Sequence, residues 1–443
     1  MVSGARSIIR PMATANVEPI EEFVPEKARE VRWSLIHRVV FRFVFCYFVL
    51  YCMPDTGRAS LPGLSFVALP YTSVLHAIAS WVAIHIFHLS GENVTYFRTG
   101  SGDTTLAYIS NLLFVVFSVV VTLVWSVADR RRPNYRTLHA WLRLLVRYTL
   151  AVTLFAYGMA KVVPLQFRSP GLSKLIEPFG EFSPMGVLWN FMGASLPYTI
   201  LAGSAEVLSG VLLLFRRMTT LGALFSTAVM MNVASLNYCY DVPVKLYSTN
   251  LLLMSIFLAA PDLRRLANVF VLNRTAEPAD PMAVRFERRP LQIAAKVVWV
   301  AFLGLTIVGA AFGAWQGYQQ FYARVKHNAL YGLYDVESCR LRGRELTLAT
   351  DSTRWRKVAI MDQSVVVQKL DDSMIYYPLT LQGNTLGLGG NSRLVWSRTN
   401  DDRLTLDGQV GWSAATIRIR KIDTRDLPIN RGFHWIQERP FNH

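Results

Sequence analysis

Charge is scarce in this sequence. Only 17% of its 443 residues are Asp, Glu, Lys or Arg, against about 25% in a soluble globular domain, and that shortage argues against an ordinary water-soluble chain. Cysteine is scarcer: Cys46, Cys52, Cys239 and Cys339 are scattered and form no C-x-x-C pair, so neither a disulfide framework nor a dithiol centre can be read from them. The first 30 residues mix Arg, Lys and Glu without an early apolar core. No cleavable signal peptide is visible there, and the first apolar run is expected to act as the insertion signal. No nucleotide loop and no metal-ligand spacing stand out; His327, His434 and His443 are far apart.

Apolar residues are abundant, at 52% of the chain. Several runs approach or exceed the roughly 18–20 residues that cross a bilayer. The clearest is 106–128, with no charge between Asp103 and Asp129; the others are 33–53, 138–164, 197–215, 218–240, 243–260 and 291–318. Seven spans are expected. The net charge of +16 suggests nucleic acid at first sight, but its distribution does not. Arg130, Arg131, Arg132 and Arg136 follow one span, Arg216 and Arg217 another, and Arg264, Arg265, Arg274, Arg285, Arg288 and Arg289 fill the longest linker. Basic clusters after alternate spans are the positive-inside pattern. The expected partner is therefore a lipid bilayer and not nucleic acid, with the N-terminal segment 1–32 cytoplasmic, the linker 266–290 cytoplasmic, and residues after 318 outside. A bacterial inner membrane fits this layout. The segment 67–89 is apolar enough for an eighth span, yet a crossing there would put Arg130–Arg132 outside. With Trp81, His85 and His88 on one helical face, it reads as an interfacial or re-entrant helix within the region 33–137; eight spans with an external N-terminus is the alternative.

Beyond the span 291–318 the texture changes. Short alternating stretches such as Lys357–Met361, Ser364–Gln368 and Thr416–Arg420 lie between turn clusters such as Asp371-Asp372-Ser373, Gln382-Gly383-Asn384 and Asp407-Gly408. Residues 319–443 are expected to form an antiparallel β domain, a sandwich or a lipocalin-like barrel, serving as a lid or docking domain.

Ionisable groups inside spans are costly and are searched first for chemistry. Glu206 is the one acid placed well inside a span, and counting inward from the span starts brings Arg147 to a similar depth. A buried Arg147–Glu206 ion pair is expected, as a structural clamp or as the polar end of a quinone or lipid pocket. A second group, Tyr157, Lys161, Asn237, Tyr240, Asp241 and Lys245, gathers where three spans meet the outside. It is expected to bind a polar head group, with Lys161, Lys245 and Asp241 as candidate catalytic residues. Interface anchoring by Tyr and Lys is the competing reading. The run Gly100–Thr105 reads as a turn whose Asp103 or Thr104 caps the next span, with an anion nest as the alternative.

Residues from about 138 to 265 resemble the DoxX-like family of four-helix membrane proteins. The resemblance rests on Arg147 and the run Tyr157-Gly158-Met159-Ala160-Lys161 in one span, Ala205-Glu206-Val207-Leu208-Ser209-Gly210 in the next, and the basic turn Phe215-Arg216-Arg217. It implies a helical core with the Arg, Gly, Lys and Glu inside, a quinone as cofactor and a membrane redox subunit as partner. The layout is also similar to HTTM proteins related to the vitamin K-dependent carboxylase, which implies a lysine base, Lys161 or Lys245. A non-enzymatic assembly or lipid-handling protein is the third expectation.

Overall fold

The apolar runs fold as α-helices and the alternating ones as strands, in a computed structural model that describes residues 32–55, 61, 65–96, 100–276, 284, 286–323, 325–347 and 351–441, Ser65 by its backbone alone. The expectations for residues 1–31, Arg285 and His443 lie outside the described residues. The helices are α1 (Leu35–Tyr51), α2 (Ser65–His85), α3 (Thr105–Ala128), α4 (Arg136–Val162), α5 (Pro184–Ala194), α6 (Leu196–Leu214), α7 (Thr219–Cys239), α8 (Lys245–Ala259), α9 (Leu263–Phe270) and α10 (Arg289–Tyr318). Hydroxyl caps set several starts: Ser34 Oγ accepts from His37 N at 3.2 Å, Thr104 Oγ1 from Ala107 N at 3.2 Å and Ser183 Oγ from Gly186 N at 3.1 Å, each satisfying an amide the helix itself cannot.

Among the described residues, seven helices are long and apolar enough to cross a membrane: α2, α3, α4, α6, α7, α8 with its extension through α9, and α10. The outward face of α3 carries Val116, Val120, Leu123, Val124 and Val127, each at least half exposed. Such an apolar strip suits lipid and not water. The seven differ from those expected in one respect. The segment expected to lie at the interface is α2, a continuous helix of 21 residues, whereas α1 has only 17.

Contacts fix the helix directions. Arg38 near the start of α1 donates to the carbonyls of Arg130 and Arg132, just past the end of α3, at 3.1 and 2.8 Å. Tyr47, near the end of α1, donates to Asn111 near the start of α3 at 2.8 Å. The two helices are therefore antiparallel, and α1 finishes at the end of the bundle where α3 begins. Residues 52–104, α2 included, produce no net change of end. Contacts of α2 agree: Tyr71 donates to the Leu50 carbonyl and Ser80 to the Val94 carbonyl, both at 2.8 Å. The buried Arg42 explains why this end is fixed: it donates to Tyr135 Oη, Ser126 Oγ and the Asp129 carbonyl. Arg38, Arg130–Arg132 and the α6–α7 turn share this end, here called the basic end; the opposite one is the distal end.

The β domain is one ten-stranded antiparallel sheet. Its strands are β1 (Gly332–Leu341), β2 (Arg344–Glu345), β3 (Trp355–Ile360), β4 (Ser364–Lys369), β5 (Met374–Pro378), β6 (Thr380–Gln382), β7 (Thr385–Gly387), β8 (Arg393–Arg398), β9 (Arg403–Val410) and β10 (Ser413–Ile422). Their order is β5-β4-β3-β1-β10-β9-β8-β7-β6, with β2 paired to β1. The two outermost strands, β5 and β6, are consecutive in sequence and separated by Leu379 alone. The sheet must therefore curl until its edges nearly meet, giving an almost closed barrel. Tyr334, Val336, Val358, Ile360, Val365 and Val367 fill the inside. Their sequence neighbours Leu333, Ala359 and Val366 pack outward against Leu172 and Ile176 of the α4–α5 connection. Period-two alternation thus buries both faces of β1, β3 and β4, and the outer contact docks the barrel on the distal end. The end of α10 is tied to the same connection, with Tyr322 Oη donating to the Pro164 carbonyl at 2.7 Å. Cys239 is exposed, whereas Cys46, Cys52 and Cys339 are buried, and burial pushes the Cys339 thiol up from its usual range.

Candidate functional site

α4 and α6 lie antiparallel with their backbones in contact, because glycine stands at each crossing point. A Cβ on Gly158 would fall 2.7 Å from the Gly203 carbonyl, one on Gly203 2.7 Å from the Gly158 carbonyl, and one on Gly210 2.8 Å from the Ala151 carbonyl. Gly203 and Gly210 are two turns apart and form one small-residue stripe, the arrangement by which membrane helices gain close packing.

That closeness places the central pair. Helical side chains lean toward their own N-terminus, so on antiparallel helices Lys161 leans back into the bundle while Glu206 leans toward the distal end. They meet, with Lys161 Nζ 2.8 Å from Glu206 Oε2 and the two residues 7% and 4% exposed. The ammonium also lies 5.9 Å from the Tyr157 ring and 6.0 Å from the Phe167 ring, within reach of a cation–π attraction.

The expected Arg147–Glu206 pair does not form. Gly210 faces Ala151 and Phe155, so α6 ends near the level of Arg147, and α4 starts roughly three turns beyond it. Equal counts from two span starts therefore do not give equal depth. Arg147 instead donates to Thr219 Oγ1 at 3.3 Å and sits over the Tyr148 ring at 4.6 Å, against the α6–α7 turn; its buried Nε has no hydrogen-bond partner among the described residues.

The expected six-residue mouth divides in two. Tyr157 and Lys161 belong with Glu206. Asp241 and Lys245 form a separate cluster, with Lys245 Nζ 2.7 Å from Asp241 Oδ1 and 4.0 Å from Asp103 Oδ2. No ion pair joins Lys161 to Asp241 among the described residues. Asp241 has a φ of 50° and a side chain 81% exposed, as the apex of the tight α7–α8 turn. The Tyr157 and Tyr247 rings lie 5.9 Å apart, joining α4 to α8. Asn237 is buried and its carbonyl accepts from Val242 N at 2.9 Å, while Tyr240 packs with Phe167 and Val242; both support the turn.

Of the two cap candidates beside α3, Asp103 and Thr104, the second takes that role. The Asp103 carboxylate instead accepts from Lys245 N at 2.7 Å and Leu246 N at 3.0 Å, capping α8 from 142 residues away. No local spacing signals such a partner. Asp103→Ala should lower stability by about 2 kcal/mol, the loss of two charge-assisted bonds at a helix N-terminus; thermal unfolding in detergent measures it, and an unchanged midpoint would show the cap contributes nothing. His85 stacks on Trp81 at 4.8 Å and its Nδ1 lies 2.9 Å from the Trp81 carbonyl.

Over 147 residues the chain is 33% identical to the uncharacterized protein YwoB of Bacillus subtilis, covering 31% of this chain and 85% of that protein. No family model matches the chain, and no solved structure matches it.

Proposed function

The chain belongs to the same family as that Bacillus protein, and from this premise, which carries no activity, we propose that it binds the head group of a quinone-like or lipid molecule beside Tyr157 and Lys161. In this reading α4 and α6–α8 are a DoxX-like core, and the protein is a quinone-associated subunit of a redox assembly in a bacterial inner membrane. The observation that carries it is the buried Lys161–Glu206 pair next to a half-exposed tyrosine ring. A charged residue in the bilayer interior costs about 2.5–3.5 kcal/mol even on permissive insertion scales, and its default interpretation is function. An ammonium has three donors and Glu206 takes one, so Lys161 can also donate to a carbonyl entering between α4 and α8.

The carboxylase-like reading needs a lysine that surrenders its proton. Lys161 is paired with Glu206, and Lys245 lies between Asp241 and Asp103, so the geometry favours binding over base chemistry. Basic residues gathered at the end opposite the barrel favour a cytoplasmic N-terminus and an extracytoplasmic β domain. A reporter fused after Arg132 should be active inside only, and one after Phe441 outside only; the reverse pattern inverts the orientation.

The experiment is mass spectrometry of quinone and lipid retained by the purified protein. Tyr157→Ala and the paired change Lys161→Met with Glu206→Leu should each reduce quinone retention several-fold while the chain stays folded. Undiminished retention in both would remove this site, and retention of phospholipid without quinone would favour the lipid-handling role.

A further inference from the structure

Beyond β10 lies a folded loop with an apolar tip. Its root is a turn in which Asn430 Nδ2 donates to the Thr424 carbonyl at 2.6 Å. Leu427 in that turn packs, with Ile422 at the end of β10, on the cluster that contains Leu172 and Ile176 of the α4–α5 connection. The root is therefore held on the side of the barrel that faces the bundle. At this distal end α4 finishes, α6 begins and α10 emerges, so the surface of the bilayer is close by.

The loop is closed at its base. Gly432, with a φ of 80°, reverses the chain. Arg431 Nη1 donates to Gln437 Oε1 at 3.1 Å, and the same guanidinium lies 4.3 Å from the Phe441 ring. Between these closing residues stand Phe433, Trp435 and Ile436, which are 77%, 91% and 79% exposed. The Phe433 and Trp435 rings meet edge to face at 5.0 Å. Polar groups at the base thus bond one another, while the tip turns three large apolar side chains outward. Single exposed apolar residues are ordinary on a protein surface, but a cluster of this kind marks an interaction site.

Reach decides what the tip can meet. Six residues separate Leu427 from Phe433, a span of at most about 20 Å, so the tip stays near the face that meets the bundle. Trp412 offers a contrast: it is 88% exposed, yet it lies in the β9–β10 turn, at the other end of β10 from Ile422 and about 30 Å away along the strand. We propose that the loop 431–441 is an interfacial anchor, which inserts Phe433, Trp435 and Ile436 between the head groups of the distal leaflet and holds the β domain against the bilayer. Tryptophan and other aromatic side chains favour that depth, where an apolar ring body and a polar edge are both accommodated. In residues 423–441, Arg425, Arg431 and Arg439 are balanced by Asp423, Asp426 and Glu438. The attraction is therefore apolar and not electrostatic, and a zwitterionic lipid suffices. The anchor does not rest on the quinone reading and holds for either orientation of the bundle.

The test places a nitroxide on the tip of the full chain in phosphatidylcholine nanodiscs. Cys239→Ser removes the exposed thiol, and Ile436→Cys or Trp412→Cys then supplies one labelling position. Oxygen concentrates in the bilayer and a nickel chelate stays in water, so the ratio of their collision rates with the label reads its depth. The label at 436 should favour oxygen over the chelate several-fold, and the label at 412 should favour the chelate. Phe433→Ser with Trp435→Ser, in the chain labelled at 436, should raise the chelate collision rate several-fold and leave the unfolding midpoint in detergent unchanged. A label at 436 that favours the chelate would put the tip in water and overturn the proposal. Shielding from both reagents would overturn it too, by showing that a protein surface, such as a second copy of the chain, covers the tip. An unchanged oxygen preference in the double serine variant would also do so, since the label and not the loop would then be partitioning.

Discussion

Glu206→Gln should destabilise the protein by about 3–5 kcal/mol, because it leaves the Lys161 ammonium buried without its counter-charge. The same carboxylate removed together with its partner, as Glu206→Leu with Lys161→Met, should be nearly neutral, since neither change then strands a charge. The contrast is a coupling measurement. In a double-mutant cycle read by unfolding in detergent, Lys161 and Glu206 should couple by about 2 kcal/mol or more, whereas Arg147→Met and Glu206→Gln should add within about 0.5 kcal/mol, as separated residues do. Additive losses for Lys161 and Glu206 would mean that the 2.8 Å contact does not hold the bundle together.

Gly203→Ala should destabilise the helical bundle. The added methyl would fall 2.7 Å from the Gly158 carbonyl, 2.7 Å from Lys161 Cβ and 2.8 Å from Val162 N. Two of the three obstacles are backbone, which cannot rotate away, so α4 and α6 must part. Overpacking of this kind costs about 1–3 kcal/mol, and the separation also lengthens the Lys161–Glu206 contact. Gly309→Ala in α10 gives the opposite expectation, because a Cβ there meets nothing within 4 Å. With no clash, replacing a helical glycine should stabilise by about 0.5–1 kcal/mol. The two variants have the same chemistry and opposite predicted signs, so melting temperatures in detergent decide the matter; a Gly203→Ala protein as stable as Gly309→Ala would refute the close approach.

The extent to which the site was legible follows the range of the interactions. Tyr157, Lys161 and Glu206 could be singled out because polar groups within apolar runs stand out without any fold. Their grouping could not. The expected Arg147 partner came from counting residues inward from span starts, and the true register depends on how far α4 overhangs α6, which the glycines at 158, 203 and 210 set. Likewise Asp103 carried a cap signal, yet the helix it caps begins at Lys245, and the pairing appears only once the α7–α8 turn lies beside the start of α3.

The sequence by itself determined the membrane class, the helical bundle and the β domain after it. Hydrophobic run length and strand alternation are local properties that the surrounding solvent or lipid reads directly. Tertiary structure decided the rest: that the sheet curls nearly to closure through Leu379, and that Glu206 meets Lys161 and not Arg147. These outcomes depend on which surfaces touch. A contact distance of a few ångströms between helices is set by packing, and no single stretch of chain contains both sides of it.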